Sequence, residues 1–588
     1  MIESRERTLL IRDARVYDHD GDIHDPPIRD ILVVGSRIAS VTAPGEHMEA
    51  KGVATETIEA RGKLIIPGFV NAHYHSYDVL AKGLLEDMPF DVWALHSQPA
   101  YFDKRTKDEI GIRTLLGALE CLRNGITSVQ DMNSLVPQDE ETLDTILAAY
   151  DEIGIRVVFS IALRDIAALD IAPFLPADMP ESAMAIVRGA PKDTKEEVAF
   201  VERQIKRLDP LSPRVAWGLS PSGPQRSSRA LLEGVADLAK RLELPVFTHV
   251  YETKAQTAKA RAMYGDHGGS IIRHLADVGL LSPRTTIAHG VWLRPDEIAL
   301  MAEHGSGIAH NPISNLKLKS GVASMASALR AGVNVALGCD NCSCGDCQSM
   351  FQAMKMYCLL AAVTDANPTG VHAREAMRAA TIGGARALKL DGEIGAIRAG
   401  MKADLVLIDL DDIAYQPLNS AARQLVFSET GRGVETVIVD GEIVMRERRV
   451  TTVDEAALRE DLAALMPAFR RDFARVAKAN APVIPYLLAA NERLKGHDVG
   501  LDRFVCGGTV LHTRRLMGHR KAVPCCETRP PTPLIGISAP IPATRGLRAG
   551  VRSGRSRRAR RKQRRHAHRR RAAESGWHRD HDRGRDRR

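Results

Sequence analysis

Nothing in this chain of 588 residues approaches the run of ~18 apolar residues that a membrane-spanning helix needs. The opening Met-Ile-Glu-Ser-Arg-Glu-Arg-Thr mixes both charge signs ahead of a short apolar run and lacks the shape of a secretory signal, so a cytoplasmic protein is expected. Cysteine is sparse as well: there are 9, an odd number, and 4 of them fall between positions 339 and 347. That distribution does not suit a disulfide framework spread through a secreted domain. The body of the chain also lacks positive charge. Residues 551–588 hold 17 Arg or Lys against 4 acids, so the overall +8 leaves the other 550 residues at a net of −5 once the tail's +13 is set apart. A mildly acidic body gives no reason to expect nucleic acid as a substrate.

The tail is compositionally separate. From residue 551 onward Arg outnumbers Lys 16 to 1, in runs such as Arg557-Arg-Ala-Arg-Arg-Lys-Gln-Arg-Arg-His, and Trp577 is the only aromatic residue. Such runs can meet phosphate groups. The favoured expectation is an appended, disordered Pro- and Arg-rich segment over 501–588 without a folded role.

Apolar content of 44% is ordinary, and the length suits a large α/β unit with a smaller second part. Short alternating segments near residues 8–65 return at 403–408 and 436–444, the pattern of antiparallel strands. Like segments at both flanks predict one small β-sandwich built from residues 1–65 and 398–450. Between them lie eight strand-like runs, near 65–70, 126–131, 155–163, 214–219, 245–250, 285–289, 306–310 and 333–338, separated by helical patterns. Eight such units predict a (β/α)₈ barrel over 66–397, followed by an amphipathic helical segment over 451–500.

The most informative text is Ile66-Pro-Gly-Phe-Val-Asn-Ala-His-Tyr-His, an apolar strand ending in two histidines one residue apart. On a strand, positions i and i+2 share a face, so His73 and His75 can aim two imidazoles at one point. An isolated pair of this kind is weak. Here, however, His249, His289, His310 and Asp340 end the fifth, sixth, seventh and eighth expected strands, and barrel chemistry sits at the strands' C-terminal ends. Several ligand-type residues converging on one rim form a strong signal together.

Taken with Thr248-His-Val-Tyr-Glu, Ala288-His-Gly, His310-Asn-Pro-Ile-Ser-Asn-Leu-Lys-Leu and Leu337-Gly-Cys-Asp-Asn, this text resembles the amidohydrolase superfamily. The similarity is to its aminohydrolase branch of cytosine, guanine and S-adenosylhomocysteine deaminases and s-triazine hydrolases. It spans nearly everything from residue 8 to about 480. It implies one divalent metal on His73, His75, His249 and Asp340, with Zn²⁺ expected and Fe²⁺ the alternative. By the same resemblance Asp340 and His289 would serve an attacking water, and Glu252, three residues after His249, would shuttle protons to the substrate. Binuclear relatives use a lysine at the end of the fourth strand. The text there, Arg214-Val-Ala-Trp-Gly-Leu-Ser-Pro-Ser-Gly, contains none, which favours a single metal.

Three further residues are expected to touch substrate: Trp93 as a lid over a planar ring, His310, and Asn341. Ser314 and Asn315 can orient substrate or brace neighbouring loops, and as turn-forming residues they are not assigned to catalysis. The chain departs from the family at Cys339-Asp-Asn-Cys-Ser-Cys-Gly-Asp-Cys. One tight loop is a poor metal cage, so Asn341, Cys342 and Cys344 are expected to line the pocket as small polar groups. The expected activity is hydrolytic deamination of an aminated purine, pyrimidine, pterin or triazine, a small-molecule substrate, by a soluble enzyme that can be a homo-oligomer. Dechlorination or dealkylamination of an s-triazine-type ring is the alternative, and a noncatalytic binding barrel is the alternative from another class.

Overall fold

The two flanks of the chain meet in a single sheet. The computed structural model describes residues 7–46, 55–166, 169–187, 192–209, 211–365 and 370–504, and the Arg-rich tail lies outside the described residues. The N-terminal strands are β1 (Thr8–Val16), β2 (Ile28–Val34), β3 (Arg37–Thr42), β4 (Thr55–Glu59) and β5 (Lys63–Pro67). In β1, Leu9, Ile11, Ala14 and Val16 share one small core with Ile31, Val33 and Leu405. That is the packing expected where the sequence alternates.

Strand β5 leads directly into β6 (Phe69–His75), which is buried along its whole length. The following strands are β7 (Ile126–Asn133), β8 (Arg156–Leu163), β9 (Val215–Trp217), β10 (Ser220–Pro221), β11 (Val246–Val250), β12 (Thr285–His289), β13 (Gly307–His310), β14 (Asn334–Leu337) and β15 (Asp340–Asn341). All of their pairings are parallel, in one six-stranded sheet (β10-β8-β7-β6-β15, with β9 on β8) and one four-stranded sheet (β11-β12-β13-β14). Burial on both faces explains why these strands read as apolar runs without alternation. The middle of the chain is therefore α/β with parallel sheets.

Two links join the sheets. Leu219 bridges to Val246, and the Phe247 N–H donates to the Leu219 carbonyl at 2.9 Å. At the other edge β14 pairs with β13, and the same segment then pairs with β6 through Asp340 opposite Tyr74 and Asn341 opposite His75. The connecting helices start where short polar side chains stand in the sequence. Thr106, Asp139 and Ser228 each accept a backbone N–H at the start of helices Lys107–Arg123, Glu140–Ile153 and Arg229–Leu242.

Strands β16 (Leu405–Asp409), β17 (Val434–Val439), β18 (Glu442–Arg446) and β19 (Arg449–Val450) complete the mixed sheet in the order β19-β18-β17-β16-β5-β1-β2-β3, with β4 on β1. Helices Glu455–Asn480 and Ile484–Lys495 follow, and Asn480 Nδ2 donates to the Leu95 carbonyl at 2.6 Å. Among the described residues no helix is long and apolar enough to cross a membrane.

The parallel and mixed sheets are tied by a buried ion pair. Arg156, at the start of β8, donates through Nε and Nη2 to the two carboxylate oxygens of Asp404, each at 2.9 Å, and the Asp440 N–H adds a third donor at 2.8 Å. Without Asp404 the buried Arg156 guanidinium keeps only Asp440 Oδ1, at 3.2 Å, as a charged partner. Asp404→Ala is expected to cost about 3–5 kcal/mol of unfolding free energy, read from urea denaturation; a change below ~1 kcal/mol would mean that Asp440 alone suffices for Arg156.

Candidate active site

Five ligand-type side chains come together at the C-terminal ends of the parallel strands. His73 and His75 come from β6, His249 from β11, His289 from β12 and Asp340 from β15. Gly338, just before β15, allows the approach: a Cβ there would lie 2.2 Å from Asn311 Oδ1 and 2.8 Å from His73 Cβ. Only glycine lets this segment lie against β6 and turn Asp340 inward. His289 (φ 72°) and Asp340 (φ 62°) both occupy the left-handed region, a strained conformation of the kind that clusters at functional sites.

Asp340 Oδ1 lies 3.5 Å from His73 Nε2 and 3.4 Å from His75 Nε2, and His75 Nε2 is 3.4 Å from His249 Nε2. The far nitrogens fix the tautomers. His75 Nδ1 is 2.6 Å from the Met132 carbonyl, and His249 Nδ1 meets the Ser222 carbonyl. A carbonyl only accepts, so each Nδ1 carries the proton and each Nε2 turns a lone pair toward the centre. Two lone pairs at 3.4 Å cannot satisfy each other. His73 Nε2, fully buried, has no hydrogen-bond partner. The donor set therefore fits a divalent cation.

Charge states agree with this. Burial pushes His73 down to about 4, against the opposing pull of Asp340, and burial with the neighbouring imidazoles holds His249 well below its usual value. Burial alone would raise Asp340, but the close approach of His73, 3.5 Å away, and the neighbouring His289 and His75 outweigh it and hold the carboxyl well below the carboxylate range. Neutral imidazoles around a carboxylate are the ligand-competent state.

A cavity opens onto this cluster, and its walls include Trp93, Arg226, Glu252, His289, Asp340 and Asn341. Glu252 is 3% exposed, and its Oε2 lies 4.0 Å from His289 Nε2. Burial raises it to about 7, with Asp340 adding to the rise and His289 opposing it. Gln256 accepts from the Glu252 N–H at 2.9 Å and donates to its Oε2 at 3.3 Å. Tyr251 (φ 51°), between His249 and Glu252, donates to Glu297 at 2.7 Å and accepts from the Ile271 N–H at 2.9 Å, which pins the turn that separates them.

His289 is set by its neighbour. Its Nδ1 lies 2.8 Å from Asn315 Oδ1, so Asn315 braces the imidazole. Asn315→Leu keeps the side-chain size but removes the acceptor, and a loss of about 10- to 100-fold in kcat with the metal retained is expected from steady-state kinetics.

The other expected contacts divide. Trp93 and Asn341 line the cavity. Trp93 is at once wall and core: it is 3% exposed, and its Nε1 donates to Ser343 Oγ at 2.8 Å. His310 departs from expectation, for it is absent from the cavity wall. Its ring instead meets Tyr357 at 5.7 Å, and burial lowers it to about 3, with His289 adding to the shift. Cys342 and Cys344 also do not line the cavity. Both are fully buried behind it, where burial holds their thiols well above the usual range. Among the described residues no cysteine joins a set of three ligand atoms close enough to share an ion.

Sequence reading missed Arg226, Asp170 and Asp91. Arg226 lines the cavity, donates to the fully buried Asp170 at 2.6 Å and stands over the Phe90 ring at 5.4 Å. Burial, with Asp170 adding to it, lifts nearby Asp91 to about 7. Asp91 stands in the first turn of helix Phe90–Ser97, Asp170 after β8 and Arg226 in a short 3-10 turn after β10, and no spacing in the sequence joins them.

Comparison with known proteins places the chain in a family. The model of the amidohydrolase family matches residues 64–444. The 5-methylthioadenosine/S-adenosylhomocysteine deaminase of Thermococcus kodakarensis is 33% identical over 439 residues, covering 74% of this chain and 94% of that protein. The 5'-deoxyadenosine deaminase of Methanothermobacter thermautotrophicus is 34% identical over 456 residues, covering 77% of this chain and 96% of that protein. Among solved structures, an adenosine deaminase from Xanthomonas campestris with bound zinc is similar at a TM-score of 0.68 and 27% identity, over 79% of this chain and 98% of that one. The zinc-bound atrazine chlorohydrolase of Arthrobacter aurescens matches at a TM-score of 0.68 and 24% identity, over 78% of this chain and 100% of that one; this likeness carries the fold alone. With its family model matched over most of its length and such relatives aligned nearly end to end, the chain belongs to the amidohydrolase family.

Proposed function

We propose that the protein deaminates a purine-type nucleoside, replacing an exocyclic amine by oxygen and releasing ammonia. The placement of Glu252 carries the reading: a buried carboxyl, lifted to about 7, faces His289 in the cavity that holds Asp340. The relatives named as deaminases of adenosine derivatives support the purine class.

His73, His75, His249 and Asp340 would hold one divalent metal, Zn²⁺ in this reading. When bound, such an ion lowers the pKa of water toward neutrality. Asp340, kept ionised by its three imidazole neighbours, takes the proton that the attacking water gives up. His289 Nε2, 3.9 Å from Asp340 Oδ2 and 4.0 Å from Glu252 Oε2, orients the oxygen as it adds to the carbon bearing the amine. Glu252 protonates the adjacent ring nitrogen, the proton held by Asp340 passes to the amine, which leaves as ammonia, and the remaining proton of the added hydroxyl returns to Glu252 as the carbonyl forms. Trp93 and Asn341 would contact the base.

We read the two parallel sheets as one (β/α)₈ barrel over 66–397, supported by the Leu219–Val246 bridge at one seam and the pairing of Asp340 and Asn341 with β6 at the other. The mixed sheet would be a β-sandwich domain over 1–65 and 398–450, with a helical segment over 451–500.

The test is ammonia release from adenosine, 5'-deoxyadenosine, 5'-methylthioadenosine and S-adenosylhomocysteine by metal-loaded protein, with Glu252→Gln as control. Release that depends on Glu252 is expected. Silence across this set with metal bound would remove the purine assignment, and elemental analysis of the active protein would decide between Zn²⁺ and Fe²⁺.

A further inference from the structure

Tyr77 lines a second cavity as well as the first. Much of its wall is apolar, with Tyr77, Phe102 and Phe469 presenting rings. Three polar side chains interrupt it with atoms that have no partner. Arg113, 5% exposed, has a buried Nε without a hydrogen bond, and among the described residues its guanidinium has no hydrogen-bond acceptor or ion-pair partner. Ser97, 4% exposed, has an unbonded Oγ, and His96 an unbonded Nδ1.

The acids that could have answered Arg113 are taken. Glu109, four residues earlier on the same helix, meets Arg105 Nε at 3.2 Å. Asp78 accepts from the backbone N–H groups of Cys342 and Ser343, both at 3.1 Å, and from Ser343 Oγ. Arg105 is itself neutralised, with Asp472 at 2.6 Å, and its guanidinium stands over the Phe102 ring at 4.6 Å. A buried guanidinium whose Nε finds no acceptor is costly even where a carboxylate such as Glu109 offsets part of its charge, and Arg113 lines the cavity wall.

We propose that this cavity is a second small-molecule site that takes a planar carboxylate, its carboxylate on Arg113 and its ring against Phe102, Phe469 and Tyr77. A guanidinium fork matches two carboxylate oxygens, the Ser97 hydroxyl can donate to the same group, and aromatic walls favour a ring. Inorganic phosphate would satisfy Arg113 but leave the walls uncovered. The inference stands apart from the deaminase reading, because Arg113, His96 and Ser97 do not line the catalytic cavity.

Calorimetric titration of metal-loaded, full-length protein with benzoate, and separately with inorganic phosphate, tests it. Benzoate is expected to bind the wild type at one site, at least about tenfold more tightly than phosphate does, and Arg113→Met is expected to weaken benzoate at least about tenfold. Should Arg113→Met fail to fold, Ser97→Ala and Phe102→Ala serve instead, each weakening benzoate, and a crystal soaked in benzoate is expected to show its carboxylate on Arg113. Benzoate affinity unchanged in these variants, phosphate bound as tightly as benzoate, or only water between Arg113, His96 and Ser97 in the soaked crystal would each overturn the proposal.

Discussion

Glu252→Gln is expected to lower kcat by about 10²- to 10⁴-fold while metal content and fold stay as they are. Gln keeps the shape of the side chain and its exchange of hydrogen bonds with Gln256, whose Oε1 accepts from the residue 252 N–H at 2.9 Å. What it removes is the transferable proton. Burial lifts the Glu252 carboxyl to about 7, with Asp340 adding to the rise and His289 opposing it, so at neutral pH the group can both give and regain a proton. Because Glu252 is not among the proposed ligands, elemental analysis should return the same metal per chain in both proteins. Ammonia release within about tenfold of the wild type would take Glu252 out of the proton path, since acid–base catalysis contributes at least about 10²-fold. Loss of the metal along with turnover would make it a ligand.

Much of the frame behind that prediction was legible in the sequence, for physical reasons. Each of the eight expected strand positions carries a strand, because short β-rich apolar runs between helical patterns have few other ways to be buried. Boundaries moved where backbone chemistry intervened. The first parallel strand starts at Phe69 rather than 65, since Lys63–Pro67 belongs to the mixed sheet and pairs with Leu405–Asp409. The eighth is divided at Gly338, where the chain leaves β13 for β6. His73, His75, His249, His289 and Asp340 could be grouped because each lies at or just past the end of an expected strand, and a parallel sheet brings such ends to one side. The same rule misplaced His310. It too ends a strand, but its ring turns to Tyr357 of helix Met350–Thr364, and position on the rim does not decide which way a side chain points. Arg226, Asp170 and Asp91 lay beyond reach because the connections after three different strands, not strand register, bring them together.

His73→Ala should abolish metal retention, and its effect on stability should depend on whether metal is present. In the metal-free protein His73 is a liability: its Nε2 is buried without a partner, and burial holds the ring neutral down to about 4. Leaving such a polar atom unsatisfied costs ~1–3 kcal/mol, which offsets part of the packing lost when the ring goes. That ring lies 4.7 Å from His75, 4.9 Å from His249 and 5.3 Å from His289, so the void left behind is lined by imidazoles rather than by apolar side chains. The metal-loaded wild type gains the free energy of ion binding, about 4 kcal/mol at a thousandfold excess over Kd, and a variant lacking one of four proposed ligands forfeits most of it. Thermal unfolding should therefore separate the two proteins clearly with added Zn²⁺ and bring them close together after chelation. An equal gap under both conditions would mean that His73 acts through packing alone. Full metal occupancy in His73→Ala would remove it from the ligand set and leave His75, His249 and Asp340, with His289 as the nearest replacement.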